Sequence, residues 1–271
     1  MKTRVISGLC IAVILLAVML LGGPVLALTL LTVSLIAFFE LMRALNIHKK
    51  GEKISALEIY GYVSIVLFYL LTFFKLIDDN MDMFIIGFML ILLIIYVFTF
   101  PKNDPKTLMA TFFCVFYAPV MFSFIFRIRE MDNGFGIVWL VFASSWVSDI
   151  FAYFVGMSIG KHKLAPVLSP KKSIEGAIGG IVGAGIAGGL LGLMFKLAGV
   201  GGYEYIWRFA IISAIAGIAS QIGDLAASGI KRHFEVKDYG TLIPGHGGIM
   251  DRFDSVIMTA PIIYFLADLF F

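Results

Sequence analysis

An all-α, polytopic integral membrane fold is what this sequence predicts, with about nine transmembrane helices and a cytoplasmic N-terminus. Three observations carry the prediction. Of 271 residues, 60% are hydrophobic and only 14% are charged, and the mean hydropathy is +0.98. Soluble domains hold about 45–50% apolar and about 25% charged residues. The apolar excess is spread along the whole chain in runs near the ~20 residues that cross a bilayer as a helix, which excludes a soluble domain on a single anchor. Lys and Arg are concentrated in alternate connecting segments, as the cytoplasmic loops of a multi-pass protein require.

Taken in order, the expected spans are 5–21, 25–45, 57–77, 83–100, 108–126, 135–156, 175–197, 205–230 and 255–271. The first has no small-residue cleavage site before the next apolar run and is read as a span rather than a signal peptide. Gly22-Gly23-Pro24 breaks it from the second. Glu40 and Arg43 fall near the end of the second span, where long side chains can reach the interface. A basic linker over 46–56 carries Lys49, Lys50 and Lys53, and Asp78, Asp79 and Asp82 form an acidic turn. Pro119 predicts a kink in the fifth span, because proline removes one helix hydrogen bond. A second basic loop covers 160–173. Cys10 and Cys114 lie in apolar runs, match no metal spacing, and are expected as small buried hydrophobes without a disulfide. Residues 1–133 form an N-terminal group of spans to which composition assigns no role. Residues 134–271 form the C-terminal group that carries the polar motifs.

With the N-terminus inside, the inner segments hold 16 of the 21 Lys and Arg residues. Lys75, Arg127, Arg129, Lys196 and Arg208 fall outside. This bias places the loop after the eighth span on the cytoplasmic side. The net charge is only +3, and no nucleic-acid partner is expected.

That loop is the most polar run of the chain, SGIKRHFEVKDYGTLIPGHGGIMDRFDS over Ser228–Ser255. Pro244-Gly245-His246-Gly247-Gly248 is incompatible with an ordinary helix. Its glycines allow the backbone to approach a ligand closely, and a glycine-rich loop flanked by cations can wrap phosphate oxygens. Asp251 and Asp254 are three residues apart at the start of the last apolar run and share one helix face. Paired carboxylates there suit a hard divalent cation that also touches phosphate. Asp149 and Asp224 lie inside apolar spans, where a carboxylate costs roughly 2.5–3.5 kcal/mol and usually faces a cavity or a partner. Gln221 and Ser228 share the face of Asp224. Asp149, Asp224, Asp251 and Asp254 are therefore expected around one water-filled pocket open to the cytoplasm, with structural pairing to Lys or Arg as the plainer alternative for each. In LSPKKSIEG, Ser173 is positioned to cap the seventh span, which sets Lys171 and Lys172 at a positive helix N-terminus suited to anions. Glycines from Gly176 to Gly192 let helices pack closely in lipid. Packing within one chain is their first reading, and a homodimer face is the alternative.

Ser228, Ile230, Lys231, Arg232, Lys237, Asp238, Gly240, Ile243, Pro244, His246, Gly247, Gly248, Ile249, Asp251, Arg252, Phe253 and Asp254 together resemble the signature of the phosphatidate cytidylyltransferases, the CDP-diacylglycerol synthases. Ser-Pro-Lys-Lys-Ser-Ile-Glu-Gly resembles a second stretch of that family. So does Ser148-Asp149 with Ala152, Tyr153, Gly156, Gly160 and Lys161, although Ile150 stands where the family usually has Thr and Met157 where Arg is common. The resemblance covers the C-terminal half; residues 1–127 resemble the family only as apolar spans.

The resemblance implies transfer of the cytidylyl group from CTP to phosphatidic acid, giving CDP-diacylglycerol and pyrophosphate at the inner membrane of the cell. Both substrates are anions, so metal ions and fixed cations must reduce their repulsion and align an in-line displacement. The lipid phosphate is itself the nucleophile on the CTP α-phosphate, so no catalytic Ser or Cys is required. The expected metal ligands are Asp224, Asp251 and Asp254 for Mg²⁺, alone or with a second cation, with Asp149 alongside. Lys171, Lys172, Lys231, Arg232 and Arg252 are expected to hold phosphates, with Ser228 and Lys237 in the substrate site. His246 with Gly245, Gly247 and Gly248 is expected to cradle the triphosphate. Two rivals share these parts: a CTP-dependent lipid-alcohol kinase, which would release CDP, and a cation-coupled transporter, which predicts inverted repeats that the sequence does not display.

Overall fold

The computed structural model describes residues 2–48 and 53–271, with side chains from residue 7 onward. Every expected span is a helix. The order is α1 (Lys2–Leu21), α2 (Gly23–Ala44), α3 (Ala56–Phe73), α4 (Met81–Thr99), α5 (Pro105–Val115), α6 (Met121–Arg129), α7 (Gly134–Ile159), α8 (Ile174–Leu197), α9 (Glu204–His233) and α10 (Met250–Phe270). Among the described residues, eight segments are long and apolar enough to cross a membrane, with α5 and α6 counted as one, and the apolar part of α1, Ser7–Leu21, is shorter. Lys49 and Lys50 of the expected basic linker lie outside the described residues, as do the side chains of Lys2 and Arg4. Where a basic loop is expected over 160–173, the chain instead forms an antiparallel hairpin of β1 (Lys163–Ala165) and β2 (Ser169–Ser173).

Local signals account for the helix boundaries. Ser55 and Glu58 form a capping box at the start of α3, each side chain accepting the other's backbone N–H. Asp104 accepts the Thr107 N–H at 2.7 Å and starts α5. Ser173 caps α8 as expected, accepting the Gly176 N–H at 3.1 Å. Pro119 lies inside a π-helical turn, Phe116–Val120, that joins α5 to α6. The wider turn absorbs the missing proline donor without ending the span.

The chain divides into two compact units: Met1–Phe126 with Phe234–Arg252, and Arg127–His233 with Phe253–Phe271. The linear division expected at residue 133 differs from this partition, because the signature loop groups with the first helices. In the first unit Phe38, Leu41, Leu57, Ile65 and Phe68 are fully buried. Gly61 permits close approach of α2 and α3, since a Cβ there would lie 2.6 Å from the Phe38 ring. The Tyr69 hydroxyl meets Ser34 at 2.7 Å and donates to the Pro119 carbonyl at 3.2 Å, tying α2 and α3 to the π turn. Cys114 is buried here, but Cys10 is exposed on α1, against the burial expected of both.

In the second unit α8 packs against α7 and α9 through glycines. A Cβ at Gly180 would lie 2.8 Å from the Ser148 carbonyl, and one at Gly188 would collide with the Phe209 carbonyl. A polar seam runs between the helices: Ser144 donates to Ser213 at 3.0 Å, and Ser145 meets Thr259 at 3.1 Å. Such bonds hold helices together where lipid removes the hydrophobic incentive to associate.

Candidate active site

The seam in the second unit leads into a cavity of about 460 Å³, lined by Asp149, Lys171, Lys172, Gln221 and Asp224 among others. Asp149 comes from α7, the two lysines from β2, and Gln221 and Asp224 from α9. The hairpin is what delivers the lysines, since a strand ending at the Ser173 cap carries both to the cavity wall. Lys172 forms an ion pair with Asp224. The Ser228 hydroxyl, one turn along α9, donates to the same carboxylate at 3.4 Å. Gln221 donates to the Ala177 carbonyl at 3.0 Å and to the Ser148 hydroxyl at 3.3 Å, fixing α9 against α7 and α8. On α10, Asp254 accepts the Ser255 N–H at 2.8 Å and lies within electrostatic range of Asp224, Lys231 and Asp149. Three carboxylates and two lysines thus share one region.

Among the described residues, no three His, Cys, Asp or Glu side chains converge in a metal-ligating geometry. The donor chemistry still fits Mg²⁺, which is usually held by one or two carboxylates together with substrate phosphates rather than by an all-protein cage. Asp149 and Asp224 open onto one cavity with a lysine pair beside them, which is a carboxylate donor set with room for phosphate.

The signature loop belongs to the first unit and lines a cavity of about 570 Å³, with Lys237, His246 and Arg252 on its wall. The Ile243 N–H donates to the Gly247 carbonyl at 2.8 Å, and the His246 N–H to the Ile243 carbonyl at 2.9 Å. That tight turn needs left-handed backbone at Gly245 (φ 77°) and Gly247 (φ 82°), which glycine adopts without strain.

Two buried carboxylates shape the turn into α10. Asp251 is 8% exposed. Its Oδ2 accepts the Tyr239 N–H at 2.8 Å and the Gly248 N–H at 3.0 Å. Glu40 does not reach the membrane interface as expected; it is only 3% exposed. Its Oε1 accepts the Ile249 N–H at 3.1 Å and its Oε2 the Met250 N–H at 2.9 Å. The orphan amides and positive end of a helix N-terminus make this a favourable place for a carboxylate. Gly240 and Gly248 leave room for it, because a Cβ on either would strike the Glu40 carboxylate.

His246 is also fixed from the far end of the chain. Ser7 on α1 donates to the Pro244 carbonyl at 3.2 Å, and its oxygen lies 2.7 Å from His246 Nδ1. This pair of contacts fixes the orientation of the imidazole at the edge of the loop cavity.

The structure therefore brings Asp149, Asp224, Lys171, Lys172 and Ser228 together, with Asp254 and Lys231 in electrostatic range. It gathers Lys237, Gly245, His246, Gly247 and Arg252 around the loop cavity. Gly248 contributes room rather than a donor, its N–H being engaged by Asp251. Asp251 and Asp254, which share a helix face in sequence, have different surroundings. Arg232 is exposed in the last turn of α9. Sequence reasoning missed Glu40 and Ser7. For Glu40 a signal existed, a carboxylate inside an apolar span; Ser7 carried none.

Comparison with known proteins bears on this geometry. The model of the cytidylyltransferase family matches residues 2–270. A phosphatidate cytidylyltransferase of Bacillus subtilis (strain 168) is 34% identical over 281 residues, covering 100% of this chain and 98% of the relative. One from Staphylococcus haemolyticus (strain JCSC1435) is 34% identical over 266 residues, covering 98% of each. One from Staphylococcus aureus (strain COL) is 31% identical over 272 residues, again covering 98% of each.

Proposed function

Because this chain belongs to the cytidylyltransferase family, we propose that it transfers the cytidylyl group of CTP to phosphatidate, releasing pyrophosphate and forming CDP-diacylglycerol. The single observation that carries the reading is the cavity where two membrane-span carboxylates, Asp149 and Asp224, face the lysine pair of β2. That combination suits phosphate chemistry with a divalent cation. A transporter pathway would have no need of Lys171 beside Lys172 at a capped helix start.

The chain's residues divide the work as follows. Asp224 and Asp149, supported by Asp254, would hold Mg²⁺, which when bound neutralises phosphate charge and orients the displacement. Lys172, now paired with Asp224, would turn to phosphate oxygens as substrate arrives, and Lys171 would add a second cation. Lys231 and Arg232 add positive charge at the end of α9, where the helix dipole favours it. Lys237, His246 and Arg252 would contact phosphate oxygens in the loop cavity. Asp251 and Glu40 hold that loop in place by accepting backbone N–H groups. The phosphate monoester of the lipid is ionised near neutral pH and attacks directly, so positioning and charge stabilisation supply most of the rate. The charge bias of the sequence supports an active site facing the cytoplasm, where CTP is available.

The test uses protein purified in detergent, with phosphatidate, Mg²⁺ and each nucleoside triphosphate in turn. Pyrophosphate release with CTP that depends on both lipid and Mg²⁺ is expected. No release with any nucleotide from a folded preparation would overturn the reading, and release of CDP in place of pyrophosphate would indicate a lipid kinase.

A further inference from the structure

The first unit has an opening that the residues above do not use. A groove of about 420 Å³ runs beside the last turns of α2, lined by Leu35, Ile36, Phe39 and Arg43 and faced by Thr241 and Leu242 of the signature run. Gly240 and Thr241 line both this groove and the loop cavity, so the two share a wall. We propose that the groove is the phosphatidate site, with an acyl chain along Leu35, Ile36 and Phe39 and the phosphate at Arg43. The proposal rests on the cytidylyltransferase reading and names where that reaction's lipid substrate docks.

The chemistry of the walls selects this occupant. The floor is apolar and belongs to a helix long and apolar enough to cross the membrane. Arg43 stands in the last turn of the same helix, at the level where a lipid's polar head meets its chains. An amphiphile with an anionic head satisfies both ends of the groove, whereas a soluble nucleotide would leave the apolar floor unused. Arg43 is exposed, and its planar fork can bond two phosphate oxygens at once. Glu40 also lines the groove and would repel phosphate if its charge were open. Its carboxylate is instead turned onto the Ile249 and Met250 amides, which offset that charge. The shared wall at Gly240 and Thr241 places the bound head beside the cavity lined by Lys237, His246 and Arg252.

The experiment varies the mole fraction of phosphatidate in mixed micelles at saturating CTP, then CTP at saturating phosphatidate. Arg43→Ala is expected to raise the phosphatidate mole fraction for half-maximal rate about tenfold, the loss of one charge-assisted contact, with the KM for CTP unchanged. Arg43→Lys should recover part of the loss. An unchanged phosphatidate dependence, or an equal rise in the KM for CTP, would overturn the proposal. Should Arg43→Ala fail to fold, Ile36→Trp fills the floor without altering charge, and the same split between the two substrates is expected. Phosphatidylglycerol added to the micelles should compete weakly; competition equal to that of unreacted phosphatidate would make the groove a general anionic-lipid site and defeat the assignment. Wild-type protein that forms no CDP-diacylglycerol would defeat the underlying reading, whereas active wild type matched by Arg43→Ala defeats the groove alone.

Discussion

Glu40 is a carboxylate within a span that accepts hydrogen bonds from two backbone amides at the start of another helix. Glu40→Gln keeps one carbonyl oxygen, but turns an amide NH₂ toward the other donor. One buried N–H then loses its acceptor, at about 1–3 kcal/mol. The expected result is earlier thermal unfolding in detergent, together with a fall in the rate at saturating CTP; a variant equal to wild type in both would refute the positioning role. Asp251 offers a sharper contrast, because both of its backbone donors reach a single oxygen, Oδ2. An Asn carbonyl in that place can accept both bonds, while Ala accepts neither. Asp251→Asn should therefore keep its fold and its Mg²⁺ dependence, and Asp251→Ala should lose most activity with the loop released. If Asp251→Asn instead abolishes activity and shifts the Mg²⁺ requirement, Asp251 belongs with the metal.

At the scale of the element, α8 carries the most specific packing. Its glycines are not equivalent. A Cβ at Gly188 would collide with the Phe209 carbonyl and Ser213, and one at Gly192 with the Tyr205 carbonyl, whereas at Gly185 and Gly189 the nearest atoms stand 3.5 and 3.6 Å away. Gly188→Ala should lower the melting temperature in detergent, with overpacking of about 1–3 kcal/mol. Gly185→Ala should be neutral or slightly stabilising, since it removes backbone freedom from the unfolded helix without a clash. Equal effects at the two positions would show that the stripe acts through propensity rather than through helix contact. The same contrast explains what could be read beforehand. Glycines at small-xxx-small spacing announced a close helix contact, but spacing alone names no neighbour, and only the fold shows that Gly180 meets α7 while Gly188 meets α9. Ser173 as a cap and Pro119 as a disturbance of its helix were legible because both act within one turn of the chain.

For the whole molecule, the spans were legible because bilayer thickness fixes helix length, and the acidic and basic residues that line the two cavities stood out as charge in an apolar chain. What was not legible depends on distant pairing. Glu40 with Ile249, and Ser7 with His246, join residues more than two hundred positions apart, and no local pattern encodes such contacts. The hairpin at Lys163–Ser173 was missed for a related reason, since its strands are too short and too basic to show alternation. Orientation in the membrane is a global property that the sequence does address. With 16 of 21 cations in alternate segments, the hairpin should lie on the cytoplasmic side and the turn at Tyr203, between α8 and α9, on the other. Cys10 is exposed, so the labelling background is a Cys10→Ser chain. In it, Lys163→Cys should react with a membrane-impermeant maleimide only in inverted vesicles, and Tyr203→Cys only from the outside of intact cells. The reverse pattern would place the Lys171–Lys172 cavity away from the nucleotide pool and would remove the topological support for a CTP-dependent reaction.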